Sequence, residues 1–233
     1  MDFDKIFLDA ERSASYLKIL VSGVSGSGKS ASSLLMAYGL TKSKSWQKVL
    51  GVDTEDSLAL YSNNERLGVG KFKIVKITPP YDPDKIGKVL GLAEQAGFEV
   101  VIIDSITHFW SEDGGVLDIH AKYGGKFADW QKANPKHKAM FDAIKKAKMH
   151  IICTSRKKTD YAMNTENGRT KIEKVGLKLD QRDSIEYEFT TAFDVDIKHL
   201  ATTSKDRTGL FMDRTPFLIT SKTGEELLSW SNG

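Results

Sequence analysis

Apolar and polar positions along the chain alternate between two periods. The segment Tyr16 to Val24 is a continuous apolar, β-rich run that ends in glycine, the pattern of a buried strand. From Lys29 to Gly39 the apolar residues Ala31, Leu34, Leu35 and Met36 recur at helical spacing, and Gly39 marks the predicted helix end. Lys48 to Asp53 and Phe72 to Ile77 read as further strands, after which Pro79, Pro80 and Pro83 break the chain. Lys85 to Ala96 places Ile86, Val89, Leu90 and Ala93 on one helical face. Phe98 to Ile103 is another buried strand, His137 to Lys148 a helix, and Met149 to Thr154 a strand.

Strands that alternate with helices predict an α/β fold whose mainly parallel central sheet is covered on both faces. The last third differs. Ile185 to Ile197, His199 to Ser204 and Leu210 to Thr220 read as consecutive strands, expected as antiparallel additions at the C-terminal edge of the sheet. Thr223 to Trp230 reads as a terminal helix. Thr107 to Pro135 and Lys157 to Arg182 fit neither period and are expected as long loops, the kind that carry function.

Composition bounds the answer without choosing it. A chain of 233 residues, 40% hydrophobic and 28% charged, suits one α/β domain with a large core. The net charge of +3 permits a nucleic-acid partner but does not argue for one. The single cysteine, Cys153, excludes a disulfide framework or a cysteine metal site within the chain, and its apolar neighbours make it a small core residue. The acidic start and the absence of a long apolar window read as neither signal peptide nor membrane span, so the expectation is a cytoplasmic protein.

The strongest chemical signal is GVSGSGKS, Gly23 to Ser30, which satisfies G-x-x-x-x-G-K-[ST] between a strand and a helix. In such a P-loop, backbone N–H groups turn around phosphate oxygens and the helix N-terminus adds its positive end. Gly23, Val24, Ser25, Gly26, Ser27, Gly28, Lys29, Ser30 and Ala31 would hold the phosphates of ATP, with Lys29 at the β- and γ-phosphates and Ser30 on Mg²⁺. Asp104 ends the apolar strand FEVVIID, where a second Mg²⁺ contact belongs. Hydrolysis needs a group to orient or deprotonate water, and Glu55, just past strand KVLGVD, is the candidate, with Asp56 the competitor.

Together these pieces resemble the RecA-like recombinase ATPases. GVDTED matches that family's catalytic D-x-E signature, VVIIDS its strand ending in Asp-Ser, and ATTSKDRTG its K-x-[KR] element, which offers Lys205 and Arg207 to a neighbour's γ-phosphate. The late blocks KVGLKLDQRDSIEYEFTTAFDVD and SKDRTGLF look like the small RecA-core ATPases of bacteriophages, some of which act as single-strand annealing proteins. The resemblance covers roughly residues 15 to 215 and is specific only at these points. It departs where RecA carries a γ-phosphate-sensing Gln, since Thr154, Ser155 and Arg156 stand there.

The resemblance implies a core over residues 16–233, preceded by a segment 1–15 that could serve as an oligomerisation arm. Phe7 to Ala10 has the F-x-x-A pattern that links RecA-like neighbours, a pattern repeated at Phe189 to Ala192. It also implies DNA contacts from the segments after the last two core strands. In the second of these, Arg156, Lys157, Lys158, Tyr161, Arg169, Lys171 and Lys174 are the candidates for tracking single-stranded DNA. In the first, Phe109, Trp110, Tyr123, Phe127 and Trp130 offer stacking surfaces or local packing. The implied function is an ATP-dependent single-stranded DNA-binding protein of phage recombination, acting as a head-to-tail filament or ring, with a single-strand-binding protein as a further partner. The alternative is a nucleotide-controlled module that recruits replication or recombination proteins.

Overall fold

The computed structural model of the chain describes residues 14–166 and 169–233, the side chains of 161–175 excepted. Strands β1 (Lys18–Gly23), β2 (Val49–Asp53), β3 (Lys73–Lys76), β4 (Val100–Asp104), β5 (His150–Glu166), β6 (Arg169–Leu179), β7 (Thr191–Val195) and β8 (Ala201–Asp206) form a sheet of order β3-β2-β4-β5-β1-β7-β8, with β6 paired to β5 outside that path. All pairs from β3 to β7 are parallel, while β7–β8 and β5–β6 are antiparallel. The helices are α1 (Lys29–Leu40), α2 (Asp84–Gln95), α3 (His108–Ser111), α4 (Val116–Lys122), α5 (Trp130–Lys146) and α6 (Ser221–Ser231). Among the described residues no helix is long and apolar enough to cross a membrane.

The unbroken apolar runs exist because both faces of the sheet are covered. Successive residues of one strand enter different cores: Leu20, Val101, Ile103, Ile151 and Cys153 face the layer containing α2 and α5, whereas Ile19, Val21, Val100, Ile102 and Ile152 face the layer containing α1 and α6. Helices α1 and α6 cross closely. A Cβ on Gly39 would collide with the Ser221 carbonyl, and one on Gly224 with the Met36 carbonyl. Gly39 therefore serves close helix packing, and it falls near the helix end at Leu40 as expected.

Several expectations are corrected. Lys157 to Arg182 is a hairpin, with pairing from Lys157↔Leu179 to Glu166↔Arg169. Its strands escaped notice because polar residues occupy both faces, leaving no alternation to read. Thr107 to Pro135 is largely helical, and Pro135 lies inside α5 at the loss of one backbone donor. Ile185 to Ile197 is not one strand: a 3₁₀ turn over Ile185–Glu188 precedes β7, which runs parallel to β1. Leu210 to Thr220 makes only the bridge Ala201↔Phe217, and its rings Phe211 and Phe217 stack on each other beside Phe193. The first F-x-x-A, Phe7 to Ala10, lies outside the described residues. The second is core, with Phe189 and Ala192 each 1% exposed.

At the opposite end of the sheet from the P-loop, His150 Nδ1 accepts the Leu17 N–H at 3.1 Å, and the buried Lys18 ammonium donates to the Ala147 and Met149 carbonyls. Burial, reinforced by the Lys18 charge, pulls the imidazole pKa down from 6.5 to about 4. Above pH 6.5 both folded and unfolded states hold it neutral and its contribution is complete. Between pH 6.5 and 4 the unfolded chain binds a proton that the folded chain refuses, so stability falls as pH falls, by about 3 kcal/mol at the bottom of the window. In His150→Asn, whose amide oxygen can accept the same N–H, that part of the acid loss should vanish. Urea unfolding at pH 7, 5.5 and 4 for both proteins measures the difference.

Candidate nucleotide site

The parallel sheet brings three strand ends and one continuing strand to one edge. Gly23 pairs with Arg156 and Asp53 with Asp104, so the C-terminal ends of β1, β4 and β2 lie together, with β5 passing between β4 and β1. The chain leaves β1 at Gly23, loops through 24–28 and enters α1 from Gly28, which holds the left-handed conformation at φ 89°. The backbone N–H groups of Gly28, Lys29, Ser30 and Ala31 find no acceptor among the described residues. They form a concave donor set at a helix N-terminus, suited to an anion. The Lys29 ammonium is folded across the loop onto the Val24 carbonyl at 2.9 Å. Burial lowers its pKa, opposed by the charges of Glu55 and Asp104.

Asp104 is 1% exposed. Its Oδ2 accepts from Ser30 Oγ at 2.6 Å and its Oδ1 from Thr154 Oγ1. Burial pushes its carboxyl pKa up, against both of these hydrogen bonds. The Ser30–Asp104 pair joins helix α1 to strand β4 at the mouth of the loop. A hydroxyl and a single carboxylate suit Mg²⁺, which keeps waters and takes phosphate oxygens for its remaining positions. Among the described residues no cluster of three or more His, Cys, Asp or Glu forms a larger metal cage.

The Asp53-Thr54-Glu55-Asp56 turn divides its work. Asp53 accepts the N–H groups of Glu55, Ser57 and Leu58 at 3.0, 3.3 and 3.0 Å, which shapes the turn after β2. Thr54 Oγ1 donates to the Asp104 carbonyl, accepts from Ser105 N–H at 2.8 Å, and lies 2.5 Å from His108 Nδ1. Tyr81 stacks on the His108 ring at 4.9 Å. Glu55 faces the phosphate loop, where its Oε1 lies 2.9 Å from Arg156 Nε. Asp56 turns out to solvent and pairs with Lys76. The two acidic candidates of the sequence are thus separated: only Glu55 borders the cavity.

That cavity has a volume of about 870 Å³ and is walled by the loop, Glu55, Arg156 and Lys157. Its apolar side comes from Leu35, Tyr61, Leu67 and Leu218. Tyr61 and the 218–220 segment carry no local signal in sequence, because only the tertiary fold brings them here. His199, also in the wall, sits between β7 and β8 with Nδ1 2.9 Å from the Ser27 carbonyl.

Other candidates lie elsewhere. Lys205 Nζ donates to the Glu186 and Tyr187 carbonyls of its own subunit, and Arg207 reaches the Tyr187 carbonyl at 3.5 Å, so neither borders this cavity. Arg156 and Lys157, grouped in sequence with the DNA candidates, instead line the nucleotide cavity, and Lys157 pairs with Asp194 at 2.6 Å. Lys158 pairs with Asp180 at 2.6 Å. The side chains of Tyr161, Arg169, Lys171 and Lys174 lie outside the described residues. Phe109 and Trp110 are buried and Trp110 stacks on Trp130, whereas Tyr123 and Phe127 are exposed.

Burial alone would raise the Glu55 carboxyl pKa. The hydrogen bond and charge of Arg156, helped by His108 and Lys29, outweigh it and hold the group below its ordinary value. Replacing Arg156 by Gln removes the largest stabiliser of the ionised form. The Glu55 carboxyl should then titrate at higher pH than in wild type, which carboxyl ¹³C NMR reads directly.

A family model described as "AAA domain" matches residues 15–231. No curated protein matches the chain. The match spans nearly the whole sequence and includes every element of the site, so the chain belongs to the AAA domain family and carries its nucleotide-binding P-loop ATPase core.

Proposed function

We propose that this protein is an ATP- and Mg²⁺-dependent ATPase that couples its nucleotide state to single-stranded DNA, as a head-to-tail oligomer of the kind used in phage recombination. The observation that carries the reading is the convergence of the free N–H groups of 28–31, Lys29, the Ser30–Asp104 pair and Glu55 on one cavity. Bound Mg²⁺ would neutralise phosphate charge there. The protein's own residues do the rest: the loop amides and Lys29 hold the phosphates, Ser30 and Asp104 offer the metal contacts, and Glu55 orients the attacking water. Glu55 held ionised is suited to accepting a hydrogen bond from that water. Arg156 beside it is placed to exchange its carboxylate partner for a phosphate oxygen. Tyr61 and Leu35 supply an apolar wall for the base.

The DNA half of the reading is supported by continuity. Strand β5 carries Arg156 and Lys157 in the cavity wall and continues, past a register shift at Asp160/Tyr161, into the hairpin with β6. That continuity would couple bound phosphate to the hairpin. Lys205 on β8 at the sheet edge and Arg207 just past its end, both away from their own cavity, would reach a neighbouring subunit's nucleotide through a heterologous contact. The regulatory alternative draws on a different observation. Lys157, Lys158 and Lys178 at the hairpin base are each paired with an aspartate, which leaves less free charge for nucleic acid.

An ATPase assay with and without single-stranded DNA separates the two readings. Turnover in wild type should rise with DNA, and DNA binding should weaken steeply with salt. Lys29→Ala should abolish turnover. Turnover indifferent to DNA, with capture of a replication protein instead, would favour the regulatory module.

A further inference from the structure

The P-loop is held from outside by a residue that no motif marks. We propose that His199 is a positioning residue for the phosphate loop, fixing the Ser27–Gly28 peptide through its Nδ1–H. The inference rests on the nucleotide reading above. A carbonyl oxygen can only accept, so the 2.9 Å contact between His199 Nδ1 and Ser27 O requires the proton on Nδ1.

The consequence follows from peptide geometry. In a trans peptide the carbonyl and the next N–H point in opposite directions. Drawing the Ser27 carbonyl toward His199 turns the Gly28 N–H the other way. Gly28 N–H is the first of the four free donors that run through Lys29 and Ser30 to Ala31. Without an outside partner for Ser27 O, this peptide could flip and present a carbonyl dipole where a phosphate donor is needed.

Two structural concessions are made at this one contact. His199 itself holds a left-handed backbone, φ 67°, which a non-glycine residue adopts only when its surroundings impose it. Its turn is braced by Asp196, whose Oδ1 accepts the Lys198 and Leu200 N–H groups at 2.8 and 2.9 Å and whose carbonyl accepts the His199 N–H at 3.0 Å. On the other side, a Cβ at Gly28 would stand 3.0 Å from His199 Nδ1, so the approach depends on glycine there. The same turn leads into β8, which carries Lys205 and is followed by Arg207, so the contact also ties the phosphate loop to that strand.

Three variants separate the donor from the shape of the turn. His199→Asn places an amide N–H near the Nδ1 position and tolerates a left-handed backbone. His199→Gln keeps an amide but carries it out to the Nε2 position. His199→Gly relieves the backbone and removes the donor. Binding of Mg·ATP and Mg·ADP is measured by calorimetry, with thermal unfolding of each nucleotide-free variant alongside. The expected result is that Gly and Gln each weaken both nucleotides about tenfold, while Asn stays within about twofold of wild type. Gln strains the left-handed position, so His199→Gln is expected to unfold below His199→Asn, whereas His199→Gly, free of that strain, isolates the loss of the donor. Wild-type affinity in His199→Gly, or binding by His199→Asn as weak as by His199→Gly, overturns the proposal. If wild type binds neither nucleotide, the nucleotide reading itself falls and this inference with it.

Discussion

One buried carboxylate organises this molecule. Asp104 ends β4 at 1% exposure, and taking a carboxylate out of water is tolerable only when hydrogen-bond donors replace its hydration. Ser30 from α1 and Thr154 from β5 supply them. The three groups come from separate elements that meet only because β5 lies beside β4 and β1 beside β5 in a parallel sheet. Satisfying Asp104 therefore fixes the position of the P-loop helix against the end of β4. The rest of the site inherits that frame: Thr54 bonds the Asp104 carbonyl, Glu55 follows Thr54, and Arg156 follows Thr154 two residues on.

The frame also explains why the site is electrostatically tense before any ligand arrives. Asp104, Glu55 and Lys29 are each partly or wholly withdrawn from solvent, and each feels the others' charge. Arg156 resolves part of this by pairing with Glu55. A polyphosphate with its metal would bring both a new anion for Lys29 and Arg156 and a new cation for Asp104. Perturbed groups gathered in this way are the pattern expected where they are arranged for function rather than for stability.

What the sequence revealed, and what it hid, divides along the range of the interactions. The loop Gly23 to Ser30 was legible because phosphate binding there is local, built from successive backbone groups whose glycines and lysine must stand in order. Asp104 and the core strands were legible because burial on both faces writes an uninterrupted apolar run. The hairpin of β5 and β6 was not, since the sequence there has polar residues at successive positions and no alternation to read. Arg156 carries two expectations in sequence, a phosphate contact at the strand end and membership of the basic segment after it, and register places it opposite Gly23 at the cavity. Nothing near Tyr61, His199 or Leu218 in sequence announces a nucleotide cavity, because each arrives there from a distant element. Phe109 and Trp110 proved to be core, while Tyr123 and Phe127 kept their exposure.

The proposed metal role for the Ser30–Asp104 pair sets the decisive experiment. The most direct measurement is the affinity for ATP in the presence and absence of Mg²⁺, in wild type and in Asp104→Asn, with both proteins shown to be folded. Mg²⁺ should strengthen ATP binding in wild type, and Asp104→Asn should lose this gain while retaining metal-free binding through the loop amides and Lys29. ATP affinity in wild type that is indifferent to Mg²⁺, or an undiminished Mg²⁺ effect in Asp104→Asn, would contradict that role.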